Sequence, residues 1–187
     1  MPNLRKNLMI GYDVELKNFI NLTEEEKELV RNCRNNIDVR KWMYSDTIIS
    51  PEEHKSFIIN LKNDDKNCYW IVQKGQEYVG VISLNNINMN HRNACLGIYS
   101  NPFCKFKNKG ELLIRCLKHV SFSIAKLHTL KLEVMENNVK AINFYKKSGF
   151  KEEGRLKEFI FKNGNWYDMI VMGIVEGEGI DGNESWE

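Results

Sequence analysis

Two periods run through this chain, and the places where one gives way to the other outline its elements. Residues 12–19 alternate apolar with polar and read as a first strand. Thr23, followed by Glu24, Glu25 and Glu26, is a capping box that opens a helix running to about Asn35. Residues 36–44 predict a short second helix or turn, with Trp42, Met43 and Tyr44 clustered at its end. Ser50-Pro51-Glu52-Glu53 repeats the capping box with proline at the first helical position, and the helix it starts runs through His54, Phe57, Ile58 and Leu61. Residues 68–73 and 77–86 alternate on either side of Lys74-Gly75-Gln76 and predict a hairpin. The apolar run 94–99 is a further strand, broken by Asn101-Pro102.

Helical spacing returns at Leu112, Leu113, Cys116, Leu117, Val120 and Ile124, the apolar face of a long helix ending near Lys126. Residues 130–135 alternate again. Ala141, Phe144 and Tyr145 then share one face of a short helix, Lys140, Lys146 and Lys147 take the other, and Gly149 supplies the left-handed turn that ends it. Residues 150–162 and 165–175 flank Asn163-Gly164, a two-residue hairpin signal. Residues 1–11 lack periodicity and are expected to be a loose extension. Residues 12–175 form one domain, and the acidic, glycine-rich stretch 176–187 is expected to be a disordered tail. The order implies a mixed α/β (α+β) domain built on a single sheet.

A chain of 187 residues buries roughly 70% of its unfolded surface and needs no second domain. Its net charge of +2 comes from interleaved basic and acidic residues, which gives nucleic acid no broad positive face. The one early apolar run, Leu8-Met9-Ile10, is too short for a membrane segment. Cys33, Cys68, Cys95, Cys104 and Cys116 are odd in number and include no C-x-x-C pair, so neither a disulfide framework nor a metal site is expected, and reduced thiols imply a cytoplasmic protein. A Rossmann glycine fingerprint is absent, which excludes a nucleotide-sugar epimerase or dehydratase.

Asn138, Ala141, Phe144-Tyr145 and Gly149-Phe150 follow a strand carrying Glu133, and a loop with Lys105, Asn108, Gly110 and Glu111 precedes the long helix. This pattern resembles the coenzyme A half-site of the GNAT superfamily of acetyl-CoA-dependent N-acetyltransferases. The resemblance implies a mostly antiparallel sheet of about seven strands flanked by helices, with acetyl-CoA as cosubstrate. The 105–111 loop would receive the pyrophosphate, Ile98 would meet the pantetheine arm at its strand, and Asn138, Ala141 and Phe144 would line the other side. Lys105 and Asn108 depart from the Gln/Arg and Gly of the pattern, although lysine keeps the charge and asparagine tolerates unusual backbone angles.

An aromatic on a helix face is commonly core; the resemblance implies instead that Tyr145 donates to the departing sulfur. Glu133 sits mid-strand and faces away from Leu132 and Val134, at an exposed sheet face or in a cleft, where a carboxylate can take the proton of an attacking amine through water. Ser83 is a candidate polar partner for that water. A narrower resemblance, to the nucleotide-sugar N-acetyltransferases of bacterial pseudaminic acid synthesis, covers roughly residues 14–172. It implies an acceptor pocket for a UDP-linked amino sugar built from Arg34, the Met43 backbone, His54 and Tyr99, with Asn85 and Asn86 at a strand end facing it. Arg34 also reads as a helix-surface arginine and His54 as a core histidine. The rival functions are acetylation of a polyamine or a protein N-terminus, and a catalytically silent coenzyme-binding module. Neither nucleic acid nor membrane is an expected partner, and a homodimer is left open.

Overall fold

Both capping boxes form as the sequence predicts. The Thr23 hydroxyl accepts from the Glu26 N–H at 3.2 Å while Glu26 accepts from the Thr23 N–H at 2.9 Å, and Ser50 and Glu53 do the same for their helix. In this computed structural model, which describes residues 4–178, they open α1 (Glu24–Asn35) and α3 (Pro51–Leu61), with the single-turn α2 (Ile37–Arg40) between. The strands are β1 (Leu8–Ile10), β2 (Val14–Asn18), β3 (Cys68–Lys74), β4 (Glu77–Asn88), β5 (Asn93–Ser100), β6 (Thr129–Met135), β7 (Lys151–Lys162) and β8 (Asn165–Val175). They form one eight-stranded sheet in the order β1-β2-β3-β4-β5-β6-β8-β7, antiparallel except for β5 against β6. The remaining helices are α4 (Lys109–Lys118), continued by a wider turn from His119 to Ile124, and α5 (Val139–Lys147).

The eighth strand corrects the expected loose extension. Leu8–Ile10 pairs with β2, Leu4 is buried in the core, and Arg5 donates to the Asp64 carbonyl and Asp65 carboxylate. Three paired residues are too few to show a period of two, so the alternation could not reveal them. At the other end, Glu176 and Glu178 belong to a turn tied down by Arg92 and Lys151, so the expected tail does not begin at 176; residues 179–187 lie outside the described residues.

Residues opposite one another in a ladder share a face. One face carries Trp70, Val72, Ile82, Leu84, Ala94, Leu96, Leu130, Leu132 and Val134, packed under α4 and α5 as the main core. The other carries Ile71 and Val81, packed with Phe19, Val30 and Ile58 beneath α1 and α3, with Tyr69 and Tyr99 at the margin. The same face continues through Ser83, Gly97 and Glu133, beyond α1 and α3. Every residue with a proposed chemical role must therefore lie on one of two sides. Among the described residues no helix is long and apolar enough to cross a membrane.

Candidate active site

The break in the sheet comes first. β5 and β6 pair in parallel at Asn93↔Thr129, Ala94↔Leu130 and Cys95↔Lys131, and then stop pairing although both continue, β5 to Ser100 and β6 to Met135. Extending that register by two residues would set Gly97 against Glu133, so the opening begins where Gly97, Ile98 and Tyr99 face Glu133, Val134 and Met135. Backbone N–H and C=O groups released from a ladder must find other partners. An extended amide-bearing ligand inserted at the opening could supply them, and the opening joins the helix-covered side of the sheet to the side that holds Glu133.

The start of α4 at this opening leaves backbone donors uncovered, as a phosphate-bearing ligand would require. Asn108 is the N-cap of α4 in the left-handed conformation, at φ 55° and ψ 33°, and makes no side-chain cap, so the first-turn N–H groups are not covered by it. Lys109 Nζ donates to the carbonyls of Asn101 and Cys104, both at 2.8 Å, which holds the preceding loop against the helix start. The Asn101 side chain fastens the same loop, donating to the Tyr78 carbonyl and accepting from Phe103 N–H and the Cys33 thiol. Sequence reasoning missed Lys109 and Asn101 because their partners are carbonyls and amides that no spacing identifies. Lys105 and Glu111 lie outside this lattice and are exposed. A Cβ at Gly110 would come within 3.0 Å of the Phe144 ring, so the missing side chain lets α4 and α5 approach. Asn138 caps α5, its side-chain Oδ1 accepting from Ala141 N–H at 3.2 Å. Ala141, Ile98 and Phe144 are half-buried against the main core. Gly149 is left-handed at φ 89°, as the sequence predicts.

Tyr145 is 9% exposed, packed with its ring 5.4 Å from that of Phe144 and 5.7 Å from that of Phe150. Burial pushes its phenol well above the ordinary value of 10, so it stays protonated in the working range. It lies on the α5 side of the sheet. Ser83 and Glu133 lie on the other. Ser83 is buried, accepts from Asn85 Nδ2 at 3.0 Å and stands opposite Gly97, where a Cβ would fall 2.4 Å from its Oγ. Glu133 points out between Leu132 and Val134, and its Oε2 accepts a hydrogen bond from the Tyr44 hydroxyl.

Of the six acceptor-side residues, three meet on this face. Arg34 donates from Nη2 to the Ser45 carbonyl at 2.9 Å, while its Nη1 is buried with no partner. Burial lowers the Arg34 guanidinium and raises the Tyr99 phenol, and each sits in the other's field. Asn85 lies on the same face further along β4 and donates to Ser83. Asn86 does not: it occupies a bulge at φ 53° and is exposed, its N–H donating to Asn67 Oδ1. The Met43 backbone is also committed, its N–H to the Arg40 carbonyl and its C=O to Lys162 Nζ at 2.9 Å. His54 is buried between α1 and α3, 6.4 Å from the Phe57 ring, and lines a cavity of about 130 Å³ with Lys27, Glu28 and Arg31. Burial and then Arg31 lower its imidazole below the ordinary value. Among the described residues no hydrogen bond or ring contact joins His54 to Arg34 or Tyr99.

All five cysteines are free. Burial pushes the Cys33 and Cys116 thiols up to about 12 and Cys68 up to about 11, and it raises Cys104 as well. Thiolate, the form that attacks a thioester, is scarce at all four.

The Acetyltransferase (GNAT) domain model matches residues 20–171, which span the opening and both flanking helices. Acetyltransferase PseH of Campylobacter jejuni is 32% identical over 148 residues, covering 79% of this chain and 91% of that protein. Spermidine N(1)-acetyltransferase of Vibrio cholerae is 28% identical over 164 residues, covering 87% and 95%. Among solved structures, Vibrio cholerae spermidine N-acetyltransferase in complex with CoA and spermine superimposes with TM-score 0.81 at 27% identity, covering 90% of this chain and 99% of that one. Campylobacter jejuni N-acetyltransferase PseH gives 0.68 at 25%, covering 88% and 99%. The parted strands, the uncapped start of α4 and the family match lead to one conclusion: the chain belongs to the GNAT acetyltransferase family and takes its acetyl group from acetyl-CoA.

Proposed function

We propose that the acceptor is a UDP-linked amino sugar, acetylated at the 4-amino group of UDP-4-amino-4,6-dideoxy-N-acetyl-β-L-altrosamine, the step that leads to pseudaminic acid and flagellin glycosylation. The observation that carries this reading is Arg34. Its charge is permanent, its Nη1 is buried without a partner, and it lies beside Tyr99 on the same face as Glu133. A half-buried cation with an unused donor suits phosphate or uracil oxygens. It repels a polyamine, which carries several positive charges and wants carboxylates around it. The likeness to PseH supports the sugar, and the likeness to the spermidine enzyme keeps the polyamine as the reading to exclude. The five free thiols accord with a cytoplasmic enzyme.

In this reading the amine attacks the thioester directly through the opening between β5 and β6. Its nitrogen forms the new C–N bond, Glu133 takes the amine proton through a water held near Ser83, and the C–S bond breaks towards Tyr145. A thiol titrates near 8.5, and Tyr145 stands above 10, so full proton transfer to sulfur is uphill by more than about 2 kcal/mol. Tyr145 therefore hydrogen-bonds the departing sulfur, while solvent protonates it later. Lys105, Asn108, Gly110 and Glu111 form the pyrophosphate side, Ile98 meets the pantetheine arm, and Asn138, Ala141 and Phe144 form the opposite wall.

Coenzyme A release is measured with acetyl-CoA and a panel of amines: the UDP-amino sugar, spermidine, spermine and a peptide N-terminus. Turnover at least tenfold faster with the sugar, lost in Arg34→Met, is the expected result. Preference for spermidine or spermine in the unaltered protein overturns the sugar reading and leaves the family intact.

A further inference from the structure

The loop that joins α2 to α3, residues 41–50, has no secondary structure of its own, yet it is fastened from two directions. From the helix side, Arg40 Nη1 donates to the Asp46 carbonyl at 2.6 Å and Arg34 Nη2 to the Ser45 carbonyl, and Asn35 exchanges hydrogen bonds with Ile49 at 2.8 and 2.9 Å. From the far side of the opening comes Lys162, the last residue of β7. Its Nζ donates to the carbonyls of Lys41 and Met43 at 3.0 and 2.9 Å, with Asp46 Oδ2 at 3.8 Å. Only 7% of Lys162 is exposed. Desolvating an ammonium is costly unless its donors are used, so two carbonyls and a nearby carboxylate are what keep it in place. The loop thus spans the acceptor side of the sheet from α2 to the β7–β8 hairpin.

Tyr44 lies between these fastenings. Its side chain is 57% exposed, and among the described residues its one polar contact is the hydrogen bond it donates to Glu133 Oε2. An ionised carboxylate accepts at about four lone-pair positions, so one phenol on Oε2 leaves Oε1 for an amine or a water. A glutamate side chain that extends from a strand into solvent is otherwise free to rotate, and confining it costs conformational entropy. A third group that orients the base is the usual way such a side chain is kept in line with its proton.

We propose that Lys162 and Tyr44 act in series as positioning residues, Lys162 holding loop 41–50 across the opening and Tyr44 holding the Glu133 carboxylate towards the acceptor amine. This rests on the reading of Glu133 as the group that receives the amine proton. Neither residue touches the acetyl group or has a part in the chemistry itself. The effect of each runs through Glu133.

The test is a cycle of Tyr44→Phe, Glu133→Gln and the double variant, measured as kcat and KM for the amine that the panel shows to be turned over fastest. Tyr44→Phe lowers kcat about tenfold, as loss of a hydrogen bond to a charged group does, and leaves the KM for acetyl-CoA in place. The double variant is no slower than Glu133→Gln, because Tyr44 has nothing left to orient. Losses that multiply in the double variant overturn the series, since Tyr44 then acts elsewhere. A Glu133→Gln enzyme at wild-type speed overturns the proton-acceptor reading instead, a separate failure. The Lys162 link is read without any acceptor, by amide hydrogen exchange in residues 41–46 of the full chain. Lys162→Met speeds that exchange at least tenfold while β6 and α4 keep their protection, and Lys162→Arg restores part of it. Unchanged exchange in Lys162→Met overturns the latch.

Discussion

Tyr145→Phe separates two roles that the same buried ring can play. The phenol is packed between Phe144 and Phe150, and no hydrogen bond to a protein group accompanies its burial among the described residues. Removing the oxygen therefore deletes no intramolecular bond and leaves the apolar surface in place, so the stability change is expected within about 0.5 kcal/mol. Turnover responds differently. A hydrogen bond to sulfur that strengthens as the C–S bond breaks is worth about 10²-fold, or roughly 2.7 kcal/mol at the transition state. Urea unfolding and single-turnover acetyl transfer are measured on the same preparation. The expected pair is an unchanged midpoint and a rate lower by about a hundredfold, with acetyl-CoA affinity unaltered. An unchanged rate refutes the argument and returns Tyr145 to the core, and a lost midpoint with a proportionate rate loss does the same.

Gly97→Ala sets a Cβ 2.4 Å from Ser83 Oγ, inside contact distance and next to a buried residue, so stability falls by about 1–3 kcal/mol by thermal denaturation, and kcat falls with it if Ser83 holds the water. Asn108→Ala places an ordinary side chain at φ 55°, costing about 1–2 kcal/mol, and raises the KM for acetyl-CoA; Asn108→Gly keeps the backbone and the KM, and equal effects of the two would show that conformation is not what matters there. Alkaline stability follows from the buried thiols of Cys33, Cys68 and Cys116, all raised above their ordinary value of 9. Their contribution is whole below pH 9, where both states are protonated. Above it the unfolded thiols ionise while the folded ones do not, so stability falls by about 1.4 kcal/mol per pH unit for each until pH reaches 11 for Cys68 and 12 for the other two. Unfolding free energies between pH 8 and 10.5 for the native chain and the triple alanine variant check this, and equal slopes in the two would refute it.

How much the sequence shows depends on the range of the interaction that carries each feature. The two capping boxes, the left-handed Gly149 and the Asn163-Gly164 hairpin turn, with φ 50° and 76°, are decided within four residues, and the structure has them as expected. So is the Asn138 cap, which places Ala141, Phe144 and Tyr145 on the inner side of α5. β1 was hidden by its length. The bulge that turns Asn86 outwards was hidden by its cause, since the disrupted register between Asn85 and Asn88 arises in the β4–β5 pairing and not in the local sequence. The Lys162 latch was hidden because its partners are main-chain carbonyls 119 and 121 residues away, to which any lysine could in principle donate.

The topology adds what no motif states, that Tyr145 and Glu133 lie on opposite sides of one sheet. A donor thioester and an acceptor amine approaching from the same side would compete for space under α5. With β5 and β6 parted after Cys95 and Lys131, the thioester can be held among the helices while the amine approaches from the side of α1, α3 and loop 41–50. On the proposed assignment, acceptor choice then rests mainly on α1 and loop 41–50, which lie away from α4 and α5. The two halves can diverge separately, so for a chain similar both to acetyltransferase PseH and to spermidine N(1)-acetyltransferase, the proposed acceptor reading is tested at Arg34, which makes no part of the proposed coenzyme wall.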